Sequence, residues 1–269
     1  MCEFCTKHGE GQIWYKNAAN YAADLLSDLK RRKYIGNFLS SAFGEGFQTL
    51  GRLETIFRKR GRLPGAVKTA MLQKAKEEHF GQVLPIEEIS DLVRKANSIV
   101  RMPCACRWSM TKKEVRCCYA LSYGPEAWYE GIDLSYFGKA SDEGLESLSP
   151  DEAISQMEKM EEEGLVHSIW TMMTPFIGAI CNCSLEECLA MRTLSRIRVE
   201  TMERAEHVAI VDERLCIGCG LCADACLFKA IDSAAENGRP IARIAPERCF
   251  GCGLCRRVCD QAAISLVSR

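Results

Sequence analysis

The chain has 269 residues, 47% of them hydrophobic and 26% charged, with a formal net charge of −1. That length supports a sizeable core plus a second, smaller unit. No apolar run reaches the ~20 residues of a membrane span, and the start, MCEFCTKHGEG, has neither the charged beginning nor the apolar stretch of a signal peptide. A cytoplasmic protein without a membrane span is the expectation.

The charge is unevenly spread. Residues 30–76 carry twelve Lys or Arg against two Glu, whereas residues 142–163 carry nine acids against one Lys. A basic face could dock an acidic redox partner or bind an anion, and a pair of solvated helix faces explains the same pattern. Seventeen cysteines is far above ordinary usage. The number is odd and the spacings are those of metal ligands, so metal in a reducing, anaerobic cell is a stronger reading than disulfides.

In chain order, Ile13, Tyr21, Leu25, Leu26 and Leu29 fall near helical spacing and predict an amphipathic helix over 13–33. Residues 38–60 and 64–80 read the same way. Residues 84–100 predict a helix with Pro85 near its start, turning to extended chain at IVRMP. Residues 119–150 are aromatic and glycine-rich and read as a lid or a long packed loop. Ser149, Pro150 and Glu152 form a helix start, and that helix should stop at Gly164 before a short strand, LVHSIW. Residues 184–200 predict a further helix capped by Ser184.

From about residue 206 the texture changes to an internal repeat at an offset of 33, CIGCGLCADACLFKAI at 216–231 against CFGCGLCRRVCDQAAI at 249–264. Each copy is C-x2-C-x2-C-x3-C, the run in which three thiolates hold one 4Fe-4S cube and the fourth reaches the other cube. Cys216, Cys219, Cys222 and Cys259 should bind one cluster, and Cys249, Cys252, Cys255 and Cys226 its twin. Gly218, Gly220, Gly251 and Gly253 let the loops wrap tightly and aim N–H groups at sulfur. The segment resembles the two-cluster bacterial ferredoxin family, but Leu227 and Asp260 stand where that family usually has proline.

Nine cysteines lie outside the repeat. In extended chain the two members of a C-x-C pair share one face, so PCACR and AICNC could together supply a third cluster on Cys104, Cys106, Cys118, Cys181 and Cys183. Zinc takes four thiolates equally well. A redox-active pair (Cys117 with Cys118, or Cys183 with Cys188) and ordinary buried thiols are the remaining readings. Arg107 could bind an anionic ligand and His167 move a proton, although a salt bridge and a core position explain these two as well. At the N-terminus, Cys2, Cys5 and His8 form a C-x2-C-x2-H set that could hold metal.

Residues 84–269 also resemble ferredoxin-containing proteins of anaerobes that carry a cysteine-rich N-terminal domain. The resemblance rests on PCACR, a cysteine near 118, EEGLVHSI at 162–169 and GAICNC at 178–183, and it implies iron–sulfur binding. There is no phosphate-binding or dinucleotide-binding glycine motif, and no basic recognition helix for nucleic acid.

The predicted architecture is α+β: a helix-rich domain with a cysteine-built metal site over 1–205, then a bacterial dicluster ferredoxin-like domain over 206–269. The predicted function is low-potential electron transfer between two 4Fe-4S clusters, an N-terminal centre and a larger redox partner. The alternative is a ferredoxin-fed reductase acting on a small-molecule substrate.

Overall fold

The computed structural model describes residues 3–125, 127–236 and 239–269. Seven strands form one sheet in the order β4-β2-β3-β6-β5-β1-β7. They are β1 (Gly81–Val83), β2 (Ser98–Pro103), β3 (Arg116–Ser122), β4 (Glu146–Leu148), β5 (Val166–Thr171), β6 (Ile177–Cys183) and β7 (Met202–Glu203). All neighbours pair antiparallel except β1 with β7. Of these strands, sequence reading anticipates β5 and extended chain at β2 and at the AICNC of β6. Burial hides others: β1 is buried at all three positions and β3 at five of seven, so the alternation that marks a half-exposed strand is missing.

Successive side chains of a strand point to opposite faces, and each face has its own core. On one, Tyr119, Leu121, Ile169 and Ile180 pack with Trp14 and Phe80 and with the helices α5 (Ile86–Lys95) and α7 (Pro150–Glu162). On the other, Val100, Met102 and Ala120 meet Phe38, Trp128, Phe137 and Phe176. The remainder of this second face carries cysteines.

Several predicted helices form as expected. These include α3 (Glu45–Arg60), α4 (Gly65–Glu78), α5 and α7, the last with a complete Ser149–Glu152 capping box. The predicted helix over 13–33 does not form as one element. Three 3-10 turns, Trp14–Lys16, Ala18–Tyr21 and Ala23–Ser27, precede α2 (Leu29–Gly36). Asn17 and Asp28 restart the chain by accepting from the backbone N–H groups of Ala19 and Lys30, 3.1 and 2.7 Å away, an alternative that such side chains offer to a continuous helix. The 119–150 segment is packed rather than open: Trp128, Tyr129 and Phe137 are buried.

The last predicted helix begins late, as α8 (Leu189–Ile197), with Cys188 at its N-cap. Ser184 donates instead to Glu187, at 3.1 Å. The short helices α1 (Glu3–His8) and α6 (Ala105–Thr111) complete this part. The basic stretch is not wholly a solvated face, because Arg31 is buried and donates to the carbonyl of Met173 at 3.2 Å.

The C-terminal unit pairs β8 (His207–Val211) with β11 (Ile264–Ser268) and β9 (Ile231–Glu236) with β10 (Arg239–Ile244). Between them lie α9 (Leu221–Ala225) and α10 (Leu254–Arg257). Ion pairs join it to α5 and α7, Arg256 to Glu87 at 2.5 Å and Arg257 to Glu162, and His207 lies 3.5 Å from Glu88 of α5. Part of the acidic stretch is therefore an interdomain contact. No helix among the described residues is long and apolar enough to cross a membrane.

Candidate metal centres

In the C-terminal unit the repeat folds into two small cavities. One is lined by Cys216, Cys219, Cys222 and Cys259, the other by Cys226, Cys249, Cys252 and Cys255. These are the two ligand sets expected from spacing, each with one thiol contributed by the other copy of the repeat. Close approach requires glycine at two positions. Gly218 and Gly251 both have positive φ, and a Cβ on either would lie 2.2 Å from a backbone oxygen.

Backbone N–H groups of Ala230, Ala242 and Gly251 point at the sulfurs of Cys226, Cys216 and Cys249, at 3.3, 3.5 and 3.4 Å. Burial pushes the thiol of Cys255 up to about 12 and that of Cys252 higher still. Thiolates in such a setting need a cationic partner, and iron supplies one. The donor set, the cradle and the N–H groups all fit a cluster.

The second constellation is in the sheet domain. The sulfurs of Cys104, Cys117 and Cys118 lie within 4.8 Å of one another, and Cys181 Sγ is 4.0 Å from Cys118 Sγ. Further thiol hydrogen bonds join Cys104 to Cys106, Cys106 to Cys188, Cys188 to Cys183, and Cys183 to Cys181. Six thiols therefore close a ring in the order 104, 106, 188, 183, 181, 118, with Cys117 attached to Cys104 and Cys118.

Four places in the chain build this ring, with Cys118 supplied by β3. AICNC is extended in β6, as expected, and the alternation of a strand puts Cys181 and Cys183 on one face. PCACR is not extended: Cys104 is the N-cap of α6 and Cys106 lies in its first turn. Cys188 enters from the N-cap of α8. Hydrogen bonds from neighbouring thiols hold Cys104, Cys188 and Cys181 below the ordinary thiol value, Cys181 at about 6. Contacts among the same thiols raise Cys106, Cys118 and Cys183. Buried, preassembled thiols of this kind release protons to a metal.

Around the ring the polar groups are engaged. Arg107 is buried, donates from Nη1 to Cys117 Sγ at 2.9 Å, and pairs through Nε with Glu187. It is thus a structural partner of the thiols rather than a free anion site. His167 is a core residue, 1% exposed, with Nδ1 2.5 Å from Asn182 Oδ1. Asn182 in turn donates to the Cys117 carbonyl at 2.8 Å.

Residues 209–266 match the family model of a 4Fe-4S dicluster domain. No curated protein matches the chain. The dicluster domain binds iron–sulfur clusters, and its general role is electron transfer. Its departure from proline at Leu227 has a structural counterpart. Leu227, Phe228, Phe250 and Cys252 of the dicluster domain pack in one apolar cluster with Cys181, Cys183 and Cys188 of the sheet domain. Within it the rings of Phe228 and Phe250 stack at 4.1 Å.

The predicted metal set omits Cys188 and Cys117, which sequence reading offers only as members of a redox-active pair. It also passed over His79, which lines the same cavity as the ring. Cys5 is buried in the aromatic core with Phe4, Trp14 and Phe80, and the His8 ring lies against Phe4, with centroids 4.7 Å apart. Cys2 lies outside the described residues.

Proposed function

We propose that this chain is an iron–sulfur electron-transfer protein with three centres. Cys216, Cys219, Cys222 and Cys259 would hold an outer 4Fe-4S cluster, and Cys249, Cys252, Cys255 and Cys226 an inner one. Thiols of the ring, drawn from Cys104, Cys106, Cys118, Cys181 and Cys183 together with Cys188, would hold the third, an iron–sulfur cluster rather than zinc. Such clusters supply one-electron transfer when bound.

The observation that carries this reading is the shared apolar cluster of Cys252 with Cys181, Cys183 and Cys188. Its side chains exclude water between the inner cavity and the ring. At the other end Cys219 is exposed and Ile217 is 58% exposed, a surface suited to docking a larger anaerobic oxidoreductase as redox partner in the cytoplasm.

The test is photochemical reduction of the full chain with less than one electron per molecule, followed by EPR. The expected result is an N-terminal signal that grows as the dicluster signal decays, at a rate independent of protein concentration. Electrons that stay on the dicluster domain, or reach the ring only by collision between molecules, would contradict the reading.

A further inference from the structure

Beside the thiol ring lies a cavity of ≈ 400 Å³, within the size range of small-molecule sites. All six ring cysteines line it, and it extends past them to Tyr34, Phe43, Leu50, Leu53, Met71 and Trp170. Half of that extension comes from α3 and α4. Where α3 meets α8, a Cβ on Gly46 would lie 2.7 Å from Leu189 Cδ2. The walls are therefore thiols on one part and apolar or aromatic side chains on the other.

The charges that line it are mostly paired. Arg107 is engaged by Glu187, and Lys74 lies 3.6 Å from Glu78. Nothing among these groups offers an unpaired cation to an anionic ligand. One polar group differs. His79 has Nδ1 2.6 Å from the Thr171 carbonyl, and its ring stacks on Trp170 at 4.7 Å and meets Phe38 at 4.8 Å. The carbonyl can only accept, so Nδ1 carries the proton and Nε2 keeps its lone pair. Burial holds the imidazole neutral, pulling its pKa down to about 4. Among the described residues no hydrogen bond is found to Nε2.

We propose that this cavity binds an uncharged small molecule with an apolar body and a single hydrogen-bond donor, seated beside the thiol ring with that donor on His79 Nε2. The ring's metal centre would then be open to a ligand on its cavity side. This deepens the reading of the thiols as a metal site, and iron analysis of the same sample keeps the two separable.

Phenol has the required chemistry and serves as the probe, with benzoate as the charged control. Each is titrated into the full-length, anaerobically iron-loaded chain and read by calorimetry and by EPR. The expected result is saturable phenol binding that alters the N-terminal signal and leaves the dicluster signal unchanged, with no binding of benzoate. His79→Phe should weaken phenol binding about tenfold through loss of the acceptor, with iron content unchanged. Thr49→Trp, at an exposed position on the cavity wall, should weaken it by obstruction and stands in if His79→Phe fails to fold. No saturable phenol binding, equal binding of benzoate, or affinity unaffected by these variants would overturn the proposal. Phenol binding in a chain without a third iron centre would uphold the cavity and refute the metal reading.

Discussion

The two cysteine-rich regions of this molecule solve opposite problems. In the dicluster domain, four thiols line each of two small cavities, and backbone N–H groups point at the sulfurs. In the sheet domain, six thiols crowd into one ring and satisfy one another, with a cavity of ≈ 400 Å³ alongside. The first arrangement encloses a group of fixed size. The second leaves space for more than a closed cluster needs. Short loops make the first, whereas a sheet, two helix starts and a long-range crossing make the second, so its geometry belongs to the tertiary fold.

Metal removal should separate the two regions most strongly. The dicluster core includes Cys216, Cys222, Cys249 and Cys255 among its own buried residues, so stripping iron with a chelator should unfold that unit. The sheet domain keeps independent aromatic and aliphatic cores. Hydrogen exchange followed by mass spectrometry should show β9 and β10 losing protection while β5 and β6 retain theirs. Uniform loss would break the comparison.

Cysteine substitutions sharpen it further. Cys181→Ser should remove about four irons of twelve and leave the dicluster EPR signal intact, whereas Cys219→Ser should do the reverse. Glycine substitutions probe the loops against the cavity wall. Gly251→Ala meets a backbone oxygen at 2.2 Å with φ of +70° and should cost about 2–4 kcal/mol in denaturant unfolding. Gly46→Ala meets only the far end of the flexible Leu189 side chain, and its cost should stay below about 1 kcal/mol.

A comparably small effect concerns the joint between the regions. Glu88 accepts from Tyr15 at 2.7 Å and pairs with Lys16 at 2.9 Å and His207 at 3.5 Å. Burial raises its carboxyl, but the hydrogen bonds from Tyr15 and Lys16 outweigh this and hold it below its ordinary value. A depressed folded pKa means that the contribution is present above the ordinary carboxylate range and is lost as pH falls through the depressed value. Glu88→Gln should therefore cost about 1 kcal/mol at pH 7 and progressively less in acid. Paired unfolding curves at the two pH values check the sign.

What could be read from sequence follows the same division. The repeat carries its own geometry, because cysteine spacing and glycines fix the loops locally, and the cavities group the cysteines as that spacing implies. The capping box at Ser149 is equally local. The ring is legible only in part. Cys181 and Cys183 follow from strand alternation, but PCACR crosses from strand to helix and Cys188 is a lone cysteine without a spacing signal. The sheet itself was hidden by burial on both faces, and the 13–33 pattern gave no sign that Asn17 and Asp28 would interrupt it.

Iron and zinc per chain after anaerobic purification test the central claim most directly. Three centres predict about twelve irons and no zinc, falling to about eight irons in Cys181→Ser. About eight irons in the unaltered chain, with or without one zinc, would contradict it.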